Sequence, residues 1–309
     1  MPHAHTHASP ALRRYAWGFL AYSIAVILWG TIVRATGSGA GCGDHWPLCN
    51  GTVVQRAASM ETMIEFTHRL TSGLSLIGVL ALAVWSFRAT ARGHLARHMA
   101  ALAVLFMVVE AILGALLVLL GLTAQSTSPL RAPYLALHLT NTLLLIAALS
   151  LTAHFLGRDE ACFSGRVKVV APWATLAGVL VLMVVAVTGS LAALGDTLFP
   201  AATITTALRQ DFTATSNWLL RWRWTHPTVA LMAAAFLLWM LLKALDDTRQ
   251  RRLAYFILAL LLLEYGLGAL NVALLAPVWM QVAHLLAADV LWVALVILAA
   301  RMTVVRREA

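Results

Sequence analysis

The chain has 309 residues, of which 61% are hydrophobic and 11% are charged, and its mean hydropathy is +0.82. A water-soluble domain of this length needs a far more polar surface, so the composition excludes that class and indicates a polytopic membrane protein. The formal net charge of +9 does not indicate a nucleic-acid partner, because the basic residues stand between apolar runs and not in a polar domain.

Eight apolar segments are each long enough to cross the hydrocarbon core of a bilayer as a helix, which takes about 20 residues. With the N-terminus inside, most of the 22 basic residues fall in the inner loops, as expected for cytoplasmic loops. We therefore expect a multi-pass protein of the bacterial plasma (inner) membrane, surrounded by lipid, with both termini in the cytoplasm. The predicted spans are 15–35, 64–87, 99–122, 134–156, 171–194, 224–244, 253–275 and 279–300.

The two halves of the chain carry matching motifs in the same order. Four spans, an even number, separate each motif from its match, so the repeats are parallel and related by an axis along the membrane normal. The matches are Thr36-Gly37-Ser38 with Thr188-Gly189-Ser190, Thr67-His68 with Thr225-His226, Glu110 and Gly114 with Glu264 and Gly268, and His138 with His284.

The predicted fold is therefore an all-α integral membrane protein with eight transmembrane helices arranged as two pseudo-symmetric four-helix bundles. The shared glycines are expected to let neighbouring helices approach closely. The predicted regions are a cytoplasmic leader (1–14), an N-terminal bundle (15–156), a cytoplasmic linker (157–170), a C-terminal bundle (171–300) and a cytoplasmic tail (301–309).

Four histidines, one in each even-numbered span, lie close to the predicted outer ends of their helices: His68, His138, His226 and His284. Polar residues at that depth are costly and normally face the bundle interior or a partner. Two imidazoles on facing helices at equal depth suit the axial ligation of haem iron. We expect one haem between His68 and His138 and another between His226 and His284. Zinc or copper is less favoured, since no span offers a nearby thiolate.

The halves differ beside the first histidine of each pair, where Glu65 in the first half corresponds to Arg223 in the second. Glu65 precedes His68 by one helical turn, so its carboxylate could carry out acid–base chemistry at the edge of a haem. The alternatives are an ion pair with Arg69 or a charge placed at a helix N-terminus. We favour the catalytic interpretation because only the first half has the carboxylate. For Glu110 and Glu264, a structural hydrogen bond is favoured over proton relay.

Other outer residues suggest further contacts. Any of six arginines expected at the outer surface could bind haem propionates: Arg34, Arg69, Arg131, Arg209, Arg221 and Arg223. Arg69 and Arg223 are preferred because they lie nearest the histidines in sequence. Cys42 and Cys49 share the first outer loop, where an oxidising environment permits a disulfide. That pair is either a staple for a glycine-rich loop or a redox-active dithiol, and their spacing favours neither.

Together these residues resemble the haem A synthase family over nearly the whole chain. The resemblance rests on the Arg34-Ala-Thr-Gly-Ser-Gly39 turn, the Cys42…Cys49 loop with Trp46-Pro47-Leu48, the Glu65-Phe-Thr-His68-Arg69 element and the later histidines. Members oxidise a ring methyl of haem O to the formyl group of haem A. The partners it implies are haem O synthase (protohaem farnesyltransferase), the assembly of cytochrome oxidase, and an electron acceptor that the sequence does not identify.

The resemblance also implies roles for individual residues. His68 and His138 would flank the substrate haem O, and Glu65 would be the catalytic carboxylate. His226 and His284 would ligate the cofactor haem b, and the Cys42–Cys49 pair would have a redox function. Some members have a second cysteine pair between the fifth and sixth spans, whereas residues 195–223 contain no cysteine.

Two other functions remain compatible with paired histidines in the membrane. A diheme electron-transfer cytochrome linked to quinone predicts two equivalent sites and has no need of Glu65. A haem carrier would deliver haem unchanged.

Overall fold

The computed structural model describes residues 8–53, 58–158, 167–169 and 173–306, which form ten helices and two short strands. The helices are α1 (Pro10–Ala35), α2 (Met60–Ala89), α3 (Leu95–Leu119), α4 (Arg131–Leu156), α5 (Trp173–Leu198), α6 (Ile204–Phe212), α7 (Trp218–Arg223), α8 (Thr225–Leu245), α9 (Arg251–Ala273) and α10 (Val278–Thr303). The strands are β1 (Val167–Val169) and β2 (Val304–Arg306).

Within these residues, eight helical segments are long and apolar enough to cross a membrane, and α7 and α8 together form the sixth. The predicted all-α membrane fold with eight spans is thus confirmed. The first helix is longer than expected and begins at Pro10, because Ser9 caps it by accepting a 3.2 Å hydrogen bond from the Leu12 N–H. The predicted leader 1–14 is therefore helical from residue 10, and its residues 1–7 lie outside the described chain.

The helices of each half pack in a ring. In the first half α1 packs on α2, α2 on α3, α3 on α4, and α4 on α1. In the second half α5 packs on α8, α8 on α9, α9 on α10, and α10 on α5. The order of contacts is the same in both halves.

The two halves meet along α4 and α10, which are the most buried of the spans. Trp292 of α10 is almost completely buried, and its indole N–H donates a 2.8 Å hydrogen bond to the Leu143 carbonyl of α4. Trp292, Val296 and Ala300 belong to the same hydrophobic cluster as core residues of the first half. The centre of the molecule is thus a contact between halves rather than the interior of either bundle.

The strands lie at the end of the bundle opposite the loop that follows α1. Strand β1 pairs antiparallel with β2, with Val167 opposite Arg306. Neither strand is expected from the sequence, and the pair joins part of the predicted linker 157–170 to the end of α10. The remaining linker residues 159–166 and 170, and residues 307–309 of the tail, lie outside the described chain.

The outer part of the second half differs from the prediction. Helix α5 continues to Leu198, so Thr188-Gly189-Ser190 lies inside it, whereas Thr36 is the residue that caps the end of α1. The match drawn between these two tripeptides is therefore wrong. The loop after α5 is also partly helical, because Thr203 and Asn217 accept hydrogen bonds from the first turns of α6 and α7.

A glycine in α2 offers a test of this packing. The ring of Phe19 lies where a Cβ atom on Gly78 would be, and Tyr15 fixes the two helices by donating a 2.9 Å hydrogen bond to the Gly78 carbonyl. We expect Gly78→Ala to lower the free energy of unfolding by about 1–3 kcal/mol through overpacking. Thermal unfolding in detergent measures this. The control is Gly73→Ala in the same helix, where a Cβ meets no atom within 4 Å; equal stability of the two variants would contradict this packing.

Candidate functional site

Two histidine side chains of the second half face each other between α8 and α10. The ring centres of His226 and His284 are 6.5 Å apart, and the ring planes are inclined at 66°. Two imidazoles that share one metal ion, each through a metal–nitrogen bond of about 2 Å, have their ring centres roughly 6 Å apart. The spacing therefore suits an iron between these two rings.

The other two histidines occupy the corresponding helices of the first half. His68 lies on α2 and His138 on α4, and the two side chains are within electrostatic range of each other. Both are partly buried, and the Nδ1 atom of each is buried without a hydrogen bond within the described residues. The structure thus brings together the two pairs that the sequence predicts, while iron ligation by them remains a prediction.

Every one of the four rings lies against a glycine of the neighbouring helix. A Cβ atom on Gly30 would lie 3.0 Å from Cε1 of His68, and one on Gly189 would lie 2.9 Å from Cε1 of His226. The corresponding distances are 3.9 Å from Gly114 to His138 and 3.4 Å from Gly268 to His284. The structural counterpart of Gly189 is thus Gly30 and not Gly37, which the tripeptide match indicated.

A carboxylate lies beside the second histidine of each pair. Oε1 of Glu110 is 3.4 Å from Nδ1 of His138, and Oε2 of Glu264 is 3.0 Å from Nδ1 of His284. Neither contact has the geometry of a hydrogen bond, since Nδ1 of both histidines is buried without a hydrogen-bond partner in the described residues. A carboxylate this close to Nδ1 nevertheless favours the tautomer with its proton there, which leaves Nε2 to bind a metal. The sequence identifies both glutamates, but their proximity to histidines on the next helix is visible only in the structure.

The surroundings of these two carboxylates differ. Glu110 accepts hydrogen bonds from Thr142 and, at 2.5 Å, from the Asn141 amide. In α10 the positions that correspond to these donors are alanines, and the buried carboxyl group of Asp289 lies within electrostatic range of Glu264. The two histidine pairs are therefore alike in framework and different in electrostatics.

Glu65 is buried, with 3% of its surface exposed, and its two oxygens have different partners. Oε2 accepts a 2.9 Å hydrogen bond from the Cys42 backbone N–H. Oε1 accepts hydrogen bonds from Arg69, at 2.6 Å from Nη2 and 3.1 Å from Nε. The ion pair with Arg69 that the sequence offers as an alternative is therefore present, and the sequence did not indicate the contact with Cys42.

The loop after α1 is fastened over the start of α2. Cys42 and Cys49 form the expected disulfide, with their Cα atoms 4.4 Å apart. Nη1 of Arg69 donates to the carbonyls of His45 (2.5 Å) and Leu48 (2.9 Å). The guanidinium of Arg69 therefore binds both the disulfide-closed loop and the carboxylate of Glu65, which lies one helical turn before His68.

Arg223, which occupies the position of Glu65 in the second half, is held by two carboxylates. Its side chain lies 2.8 Å from Asp196 of α5 and 2.8 Å from Asp211 of α6, and it also donates to the Ala207 carbonyl at 2.9 Å. Burial raises the pKa of Asp211, and the charge of Arg223 opposes that shift. Both arginines preferred as propionate contacts thus have acidic partners within the protein, and that role remains a prediction.

Sequence reasoning missed Gly30 and the two aspartates that hold Arg223. A signal for Gly30 was available, since aligning the halves on His68 and His226 brings Gly30 within one residue of Gly189. No comparable signal existed for Asp196 or Asp211, because they are 27 and 12 residues from Arg223 along the chain.

Comparison with known proteins gives a consistent result. Residues 13–296 match a family described as cytochrome oxidase assembly protein, COX15-CtaA. The chain is 44% identical over 298 residues to a protein named protoheme IX farnesyltransferase from Thermus thermophilus, a match that covers 95% of this chain and 49% of that protein. It is also 37% identical over 139 residues to a heme A synthase from Geobacillus kaustophilus, covering 45% and 41% of the two chains, and 41% identical over 99 residues to a heme A synthase from Bacillus licheniformis, covering 32% of each. The chain thus spans about half or less of the length of these relatives.

The contacts of Arg69 predict how the disulfide responds to a reductant. Charged hydrogen bonds are worth about 1.5–3 kcal/mol each, so we expect Arg69→Gln to free the loop and raise its reduction rate about tenfold or more. Maleimide labelling after timed exposure to a phosphine reductant measures this rate at Cys42 and Cys49, which should remain unlabelled without reductant. Arg88→Gln, an exposed arginine of the same helix, is the control. Equal rates in both variants would show that Arg69 does not hold the loop.

Proposed function

The chain belongs to the cytochrome oxidase assembly protein family COX15-CtaA, and we propose that within it this protein is a haem A synthase, an oxidoreductase that converts a ring methyl of haem O to a formyl group. The observation that carries the proposal is the difference between the two histidine pairs. In both pairs each ring lies against a glycine, and a carboxylate lies near Nδ1 of the second histidine. Only the first pair also has a buried carboxylate, Glu65, one helical turn before its first histidine, where the second half has Arg223.

The residues fit a haem in three respects. The 6.5 Å separation of His226 and His284 leaves room for one iron, and a glycine of the neighbouring helix makes room for each of the four imidazole rings. The carboxylates at Nδ1 of His138 and His284 have the place usual for partners of metal-bound histidines. We assign the second pair to the cofactor haem b and the first, beside Glu65, to haem O. When bound, haem b supplies an iron that exchanges electrons.

The role that we propose for Glu65 follows from its hydrogen bonds. Conversion of a methyl group to a formyl group with oxygen from water releases four protons and four electrons. The electrons pass to an acceptor that the sequence does not identify, and the protons need an acceptor near the reacting edge of the substrate. Both oxygens of Glu65 accept hydrogen bonds, one from the Cys42 N–H and the other from Arg69, so the carboxylate is held in one position, one helical turn before His68. Arg69 positions this carboxylate and holds the loop that lies over it, and Glu65 is thereby shielded from water.

The diheme electron-transfer cytochrome remains the second candidate. The observation in its favour is that the contacts of histidine with glycine and carboxylate recur in both halves. The haem A synthase proposal accounts for the same recurrence. It also accounts for the presence of Glu65 at the position where the second half has Arg223.

The comparisons also support a setting for the reaction. A relative named protoheme IX farnesyltransferase is about twice the length of the segment it shares with this chain. We propose that haem O reaches this protein from such an enzyme in the same bacterial plasma membrane, and that haem A goes to cytochrome oxidase. In the orientation that the basic residues indicate, both termini would face the cytoplasm and the disulfide loop would face the outside.

The ligand assignment predicts the outcome of replacing histidines. Purified protein should show a low-spin haem b spectrum, and His226→Ala or His284→Ala should abolish it because each removes an axial nitrogen. Optical spectroscopy with pyridine haemochrome analysis measures the effect. His154→Ala, near the opposite end of α4, is the control. If both variants kept the low-spin spectrum, the second pair would not ligate haem b.

Glu65 separates the enzyme from an electron carrier. We expect Glu65→Gln to keep the haem b spectrum while haem A formation falls by about a hundredfold or more, because the amide keeps size and hydrogen bonding but loses the titratable proton. Haem extraction after co-expression with a haem O synthase measures the product. Glu61→Gln, one turn earlier in α2 and exposed, should leave haem A formation unchanged. Wild-type rates in Glu65→Gln would make that carboxylate structural.

A further inference from the structure

Two arginines lie within electrostatic range of each other where the halves join, at the end of the bundle that carries the disulfide loop. Arg34 is in the last turn of α1 and Arg131 is the first residue of α4, and their guanidinium groups lie within electrostatic range of each other. Two like charges close together in a membrane protein are costly unless an anion offsets them. We call Arg34 and Arg131 the arginine pair.

Neither member of the arginine pair has a carboxylate hydrogen-bond partner among the described residues. Arg34 donates to the Ala193 carbonyl (3.0 Å), the Thr197 hydroxyl (2.7 Å) and the Gln281 side-chain oxygen (2.7 Å). Arg131 donates to two loop carbonyls, those of Ala124 and Ser126. Asp196 is within electrostatic range of Arg34, but its carboxylate is bound to Arg223 at 2.8 Å.

Both guanidinium groups retain donors after these contacts. A guanidinium has five N–H donors, and the contacts of Arg34 use only Nη1 and Nη2. Arg131 is only 3% exposed, yet its Nε is buried without a hydrogen-bond partner in the described part of the chain. A buried charged donor without a partner is expensive, which indicates that a ligand completes this site.

The place of the arginine pair relates it to all four histidines. Arg34 follows Gly30, the neighbour of His68, by one turn, and its partner Gln281 precedes His284 by one turn. Ala193 follows Gly189, the neighbour of His226, by one turn, and Arg131 precedes His138 by two turns, about 10 Å along α4. The pair therefore lies one to two turns beyond the histidines, on the side of the disulfide loop.

We propose that the arginine pair binds propionate carboxylates of the haems held by the histidine pairs. Guanidinium groups bind carboxylates through paired, charge-assisted hydrogen bonds, and the free donors of Arg34 and Arg131 suit that ligand. The arginines that sequence proximity favours, Arg69 and Arg223, are already bound to Glu65 and to Asp196 and Asp211. This inference rests on haem binding in the proposed function, but not on the oxidation of haem O.

The test compares haem b with its dimethyl ester, in which both propionates are uncharged. Each is titrated into the purified 309-residue chain in detergent, and the Soret absorbance gives the Kd. We expect the wild-type protein to bind the free acid about tenfold more tightly or better, as charge-assisted hydrogen bonds imply. Arg34→Gln and Arg131→Gln should each reduce this ratio, whereas Arg34→Lys, which keeps the charge, should retain part of it.

Arg92→Gln makes the same change of charge in an exposed loop at the opposite end of the bundle and should leave the ratio unchanged. Affinity for the ester is the internal control for folding, because the proposed contact does not contribute to it. A wild-type ratio near one, a full ratio in both glutamine variants, or equal loss of both ligands would overturn the proposal. Failure of haem A formation would not alter this ratio, so the two proposals fail separately.

Discussion

The contact between each histidine ring and a glycine of the neighbouring helix constrains the rest of the structure. Hydrophobic burial does not drive helices together in lipid, so close packing at small residues contributes much of the stability of a bundle. At Gly30 and Gly189 a Cβ atom would crowd the ring, since it would lie 3.0 Å from Cε1 of His68 and 2.9 Å from Cε1 of His226. The distance between the helices and the position of the ring are therefore set together at these two glycines, whereas Gly114 and Gly268 make ordinary contacts with His138 and His284.

On this common framework the two halves place opposite charges at one position. In the first half the helix bears Glu65, and Arg69 ties that carboxylate to the disulfide loop. In the second half α7 bears Arg223, and Asp211 of the loop helix α6 forms an ion pair with it. Each half thus holds its outer segment through an arginine–carboxylate contact, but only in the first half does the carboxylate of that contact lie on the helix of the first histidine. The same helical framework in this way carries two different arrangements of charge.

The junction between the halves is made by hydrogen bonds as well as by apolar packing. Trp292 binds α10 to the backbone of α4, and Arg34 binds α1 to both α5 and α10. The first contact joins the helices of His138 and His284 directly, and the second joins the halves at the end that carries the disulfide loop.

The eight spans, the two pairs of histidines within them and the disulfide could all be predicted from the sequence. Hydrophobic length is a local property, a polar residue within an apolar span is conspicuous, and the cysteines are near neighbours in one loop. The sequence also indicated Glu65, because the halves differ there. The sequence comparison matched Gly189 with Gly37 because the surrounding tripeptides are identical, although Gly30 has the equivalent position within its helix. Three contacts are visible only in the folded structure: Glu65 accepts a hydrogen bond from the Cys42 N–H, Glu264 lies beside His284, and Arg223 forms an ion pair with Asp196. Those contacts join separate helices and loops, and their distances depend on how the helices pack, which no local pattern encodes.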